Sequence, residues 1–133
     1  MRPFDVLVVA HGGLAEAMLA SAAMISGEMG RVQAVGLEPT DSPESFAERV
    51  EAAIDAGRPT LVLTDLYGGT PHNVVCAMAR HHDVRCISGV NLGLLLEALT
   101  TTDALDDALV ERLLPVARDG IVDSTGRLSL SRD

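Results

Sequence analysis

The chain has 133 residues, 47% of them apolar but only 2% aromatic, with a formal net charge of −9. That length sets one domain over residues 1–133 as the expectation. The charge excludes a sequence-independent nucleic-acid binder, which needs a basic face. With so few aromatics, Ala, Val and Leu must fill the core.

Residues 4–10 (FDVLVVA) read as a fully buried strand, a short apolar run rich in β-branched side chains. His11-Gly12-Gly13 follows, and then a helix over residues 14–26. A second strand is expected over 31–37. Asp41-Ser42-Pro43-Glu44 opens the next helix, with Asp41 or Ser42 as N-cap and proline in the first turn, and Gly57 stops it after about residue 56. The third strand is 60–65 (TLVLTD). Thr70-Pro71 starts a helix to about residue 80, a fourth strand covers 84–88, and helices follow over 92–99 and 105–118. An amphipathic tail over 120–131, with a turn at 123–126, suits an edge strand or hairpin. Four buried strands alternating with helices define an α/β fold: an open, doubly wound parallel sheet with right-handed crossovers.

Cys76 and Cys86 have nine residues between them and belong to no CxxC or His/Cys cluster, so no metal site is read. Both are expected to be buried structural thiols. With no secretory signal pattern and no apolar run of membrane-spanning length, the expected location is the cytoplasm, without membrane insertion.

Chemistry concentrates at two strand ends, His11 and Asp65. Ligands in open α/β sheets bind outside the carboxyl ends of the strands, where the strand order reverses. If that reversal falls between strands one and three, Asp65 faces His11. A carboxylate on Nδ1–H fixes the imidazole tautomer and leaves Nε2 as nucleophile. The helix N-terminus after Gly12-Gly13 favours an anion. Taken singly, each residue also has a purely structural reading. His11 can be a satisfied polar group, Asp65 a turn former, Thr70 and Asn91 helix caps, and Gly68-Gly69 a positive-φ turn.

Three blocks in order resemble the mannose-type enzyme IIA domain of the bacterial sugar phosphotransferase system: VVAHGGLAEAMLASAAMISGE (8–28), LVLTDLYGGTPHNVV (61–75) and ISGVNLGLLLEAL (87–99). The resemblance implies that His11 is the phosphorylated histidine, Asp65 its hydrogen-bonding partner and Thr70 the hydroxyl beside the phosphoryl group. Gly12 and Gly13 join Thr70 as expected phosphoryl-binding positions. Tyr67, His72 and Asn91 form a candidate docking surface. Tyr67 stands where Trp or Phe is frequent, His72 where Phe is often found, and Gly93 where Pro is common.

The function so implied is a phosphohistidine carrier, a phosphotransferase that takes its phosphoryl group from HPr and gives it to a IIB component in trans for sugar uptake. No cofactor or metal is expected. A homodimer is implied, exchanging an antiparallel C-terminal edge strand, with association to a IIC/IID membrane complex. The alternative is a regulatory phosphorylation-state module, or a phosphoryl donor to a dihydroxyacetone kinase. A His–Asp hydrolase is disfavoured, because no separate nucleophile of the GxSxG type is present.

Overall fold

A computed structural model describes residues 2–128 of the chain. Its strands are β1 (Asp5–His11), β2 (Val32–Leu37), β3 (Thr60–Thr64) and β4 (Val84–Ser88). They form one parallel sheet in the order β2-β1-β3-β4. The order reverses between β1 and β3, as the strand-end argument required.

The helices are α1 (Leu14–Ser26), α2 (Pro43–Ala52), α3 (Thr70–Met78), α4 (Leu92–Thr100), α5 (Asp107–Asp119) and the single turn α6 (Ser124–Arg127). The strand side chains alternate between two cores. Val6, Val8, Ala10, Leu61 and Leu63 pack under α1, α4 and α5, on Ala22, Leu95, Leu109 and Leu113. Leu7, Val9 and Val62 face the other way, onto Phe46 and Val50 of α2 and Val75 and Met78 of α3. His11 continues the 7, 9 series and so stands on the α2/α3 side.

Local hydrogen bonds explain where element bounds differ from expectation. Ser42, not Asp41, caps α2 in a reciprocal box with Ser45. That helix ends at Ala52 rather than near residue 56, because the Asp55 side chain takes the Gly57 N–H into a turn (2.9 Å). Asp106 caps α5 through the Leu109 N–H (2.9 Å), so α5 begins two residues later than expected. The tail read as an edge strand contains no strand within 120–128. Residues 124–127 form α6 instead, because Asp123 captures the Gly126 N–H (3.0 Å) and winds the segment into a turn. The rest of that expected strand, residues 129–131, lies outside the described residues.

At the sheet's opposite end Arg2 is buried and donates to the carbonyls of Phe4, Met29, Leu99 and Arg31, while Arg31 and Arg58 both bond Asp5 at 2.8 Å. Every guanidinium there has acceptors, which is what burial of a charge demands.

Candidate functional site

The sheet brings His11 and Asp65 together although 54 positions separate them. His11 ends β1, and Asp65 follows directly on β3, the adjacent strand. One carboxylate oxygen, Asp65 Oδ2, accepts from the His11 backbone N–H at 3.0 Å and lies 2.8 Å from Nδ1. Nδ1 therefore carries the proton, and Nε2 presents its lone pair. Nε2 has no hydrogen-bond partner among the described residues, and the His11 side chain is half exposed. Burial works against the Asp65 charge, but the bonds from His11 outweigh it and hold the carboxyl below its ordinary value. Its other oxygen, Oδ1, is buried without a partner among the described residues.

Two helices begin beside this imidazole. Gly12 takes a positive φ of 57°, which turns the chain from β1 into α1 at little cost for glycine alone. Its own N–H is already bonded to the Leu37 carbonyl (2.8 Å), so Gly12 supplies a turn and not an amide for an anion. Gly13 is the N-cap of α1 and offers no side chain to the helix end, and its N–H has no partner among the described residues. α3 begins against the ring itself: a Cβ on Gly69 would stand 3.2 Å from His11 Cε1. Gly69, not Thr70, is the N-cap of α3, so the exposed Thr70 hydroxyl is not spent on capping and makes no hydrogen bond among the described residues. Unpaired helix-start amides carry partial positive charge and suit a phosphoryl group.

The remaining expected positions divide. Tyr67 is exposed and packs against His72, ring centroids 4.9 Å apart. Leu66 and Leu14 are exposed on either side of the site in the chain. Asn91 is placed elsewhere: its oxygen caps α4 through the Leu94 N–H (3.0 Å) and its amide ties α5 through the Ala117 carbonyl (2.8 Å). Of the cysteines, Cys86 is half-buried with its thiol pushed up to about 11 by burial. Cys76 is exposed, against expectation, with its Sγ 3.4 Å from His72 Nε2 on the same helix.

One position that shapes the His11-Gly12 turn escaped the sequence reading. A Cβ on Gly36 of β2 would collide with the Gly12 carbonyl oxygen. Only glycine lets β2 lie close under the His11-Gly12 turn, and the Arg49 guanidinium fixes that strand from α2 through the Gly36 carbonyl (2.8 Å). The available signal was a glycine inside a strand, which marks a close backbone approach.

Among the described residues, no group of three or more His, Cys, Asp or Glu side chains is placed to hold a metal ion, and no helix is long and apolar enough to cross a membrane.

Residues 5–113 match the family described as "PTS system fructose IIA component", EIIA-man. The chain is 36% identical over 112 residues to the sorbose-specific EIIA component of Klebsiella pneumoniae, covering 81% of this chain and 82% of that protein. It is 30% identical over 126 residues to the mannose-specific EIIAB component of Escherichia coli K12, of whose length it spans only 38%. Among solved structures, phosphotransferase component EIIA of Streptococcus agalactiae superimposes with a TM-score of 0.84 at 30% identity, covering 92% of this chain and 98% of that one. The mannose/sorbose-specific IIA subunit of Enterococcus faecalis gives 0.83 at 32% identity, covering 92% and 94%.

Proposed function

This chain belongs to the EIIA-man family of phosphotransferase-system IIA components, and from that premise we propose that His11 Nε2 is its phosphoryl-accepting atom. The donor is the phosphohistidine of HPr and the acceptor is a separate IIB component serving sugar uptake. The observation that carries this reading is the pair of bonds from His11 to Asp65 Oδ2, which leaves Nε2 without a partner among the described residues.

The Nε2 lone pair forms the new N–P bond as the N–P bond of the donor breaks, while the Nδ1 proton stays against Asp65. Such transfer asks mainly for in-line positioning and charge stabilisation. The Gly13 amide and the Thr70 hydroxyl supply charge-assisted hydrogen bonds, about 1.5–3 kcal/mol each. Asp65 also keeps the phosphohistidine reactive. At a separation of about 7 Å and an effective dielectric of about 20, it repels each phosphoryl charge by about 2.4 kcal/mol. Phosphate is thereby held at high transfer potential instead of being trapped.

Exposed Leu14, Leu66 and Tyr67 offer apolar contacts to docking partners around the imidazole. Exposed Met24 and Ile25 of α1, with Ile121, Val122 and Leu128 of the tail, support a homodimer formed through these apolar surfaces. The carrier works in the cytoplasm, associated with a IIC/IID membrane complex.

The test is incubation with phosphoenolpyruvate, enzyme I and HPr. The expected result is one acid-labile phosphoryl group per chain, absent in His11→Ala; an unchanged adduct in that variant would overturn the assignment.

A further inference from the structure

We propose that His72 is a positioning residue for His11, a latch on the loop that walls the imidazole; this rests on the reading of His11 as phosphoryl acceptor. The loop between β3 and α3 is held at Gly68, whose φ of 82° only glycine adopts readily. The Gly68 N–H donates to His72 Nδ1 (3.2 Å), and the Gly68 carbonyl accepts from Asn73 Nδ2 (3.2 Å). Both ends of one residue are thus clamped by two consecutive side chains in the first turn of α3.

The next residue is Gly69, the one whose Cβ would press on His11 Cε1 at 3.2 Å. A displacement of Gly68 therefore reaches the wall of the reacting ring through a single peptide. The His72 ring also leans on Tyr67 at a 52° tilt, which ties both sides of the loop to α3.

The protonation state of the latch follows from its neighbours. Nδ1 faces the Gly68 N–H and Asn73 Oδ1, each at 3.2 Å, and bonds one of them: the amide when the nitrogen is bare, the oxygen when it is protonated. The latch uses the first, and Nε2 lies 3.4 Å from Cys76 Sγ. Accepting from Gly68 puts the ring proton on Nε2, where it points at the sulfur. With both nitrogens engaged, His72 is not a second phosphoryl acceptor. It acts on the reaction only through the loop.

The experiment measures single-turnover phosphorylation of His11 by phosphorylated HPr, together with 15N and 1H spectra of the unphosphorylated full chain. His72→Phe keeps a ring against Tyr67 but removes the acceptor. It is expected to slow maximal phosphorylation about three- to tenfold, with no change in the HPr concentration for half-saturation, and to shift the Gly69 amide and His11 ring signals. His72→Asn, whose side-chain oxygen can accept from Gly68, is expected to restore the rate to within about twofold of the parent. The wild-type spectrum should show His72 protonated on Nε2. A His72→Phe rate equal to wild type, an effect on half-saturation alone, or a proton on Nδ1 would each overturn the latch. If wild-type protein takes no phosphoryl group at all, the His11 reading fails, and the spectra of the two variants still decide the latch.

Discussion

Asp65 holds His11 twice with a single oxygen: Oδ2 receives the backbone N–H at 3.0 Å and faces Nδ1 at 2.8 Å. The first bond fixes where the strand ends, and the second fixes the plane and tautomer of the ring. Backbone and imidazole are thus positioned by one atom on a neighbouring strand, and a change at Asp65 acts on both.

Asp65→Asn is accordingly expected to slow His11 phosphorylation about 10- to 100-fold, the range of a lost charge-assisted bond of about 1.5–3 kcal/mol. The amide also permits the wrong tautomer. Rapid-quench phosphorylation with 15N spectra of His11 reads both effects, and a wild-type rate would reduce Asp65 to a turn former.

Thr70→Ala should lower the transfer rate about tenfold while leaving thermal stability unchanged, because Gly69 and not Thr70 caps α3. Thr70→Ser should restore the rate. A fall in melting temperature with unaltered kinetics would mean that the hydroxyl serves the helix and not the phosphoryl group.

Gly36→Ala places a methyl group into the Gly12 carbonyl. The expected cost is about 1–3 kcal/mol of stability, with a matching loss of phosphorylation as the His11-Gly12 turn is pushed away. Gly93→Ala is the control, since a Cβ there meets only Asn91 Oδ1, at an ordinary 3.7 Å, and the residue lies inside α4. Denaturant melts of the two variants should separate clearly.

Acid sensitivity has a defined source. Burial resists the charge of Asp5, but the bonds from Arg31 and Arg58 prevail and hold its carboxyl below its ordinary value of 3.8. Asp65 is lowered in the same sense through His11. A depressed folded-state pKa means that the folded chain binds protons less readily than the unfolded one. The stabilisation is therefore whole above the ordinary value and lost as pH falls through the folded one. Asp5→Asn should be less stable than wild type at pH 7, by about 1–3 kcal/mol, with the gap narrowing below pH 3.8; urea melts across that range check it.

The two thiols should react unequally. Cys76 is exposed, whereas Cys86 is half-buried and its thiol is pushed up to about 11. Iodoacetamide at pH 8 should modify only Cys76 in the folded protein and both cysteines in denaturant, as peptide mass mapping can show.

Much of this protein is written locally in the chain. Apolar runs of strand length, Ser42 with Ser45 around Pro43, and glycine turns after His11 and Asp65 are features within a few residues, and they placed four strands, five helices and both candidate site residues. The folded arrangement decided everything that depends on distant neighbours. It set the order β2-β1-β3-β4 that puts Asp65 against His11, and it brought the Gly36 backbone under Gly12. It gave Asn91 to Ala117 of α5, where the sequence had suggested a docking surface, and it made Gly69 the cap of α3 in place of Thr70. The division has a physical cause. Capping, periodicity and turn chemistry act between residues one to four apart, so they are legible in order along the chain. Strand order, close backbone approach and hydrogen bonds across 54 positions exist only when the whole sheet and its two cores form together.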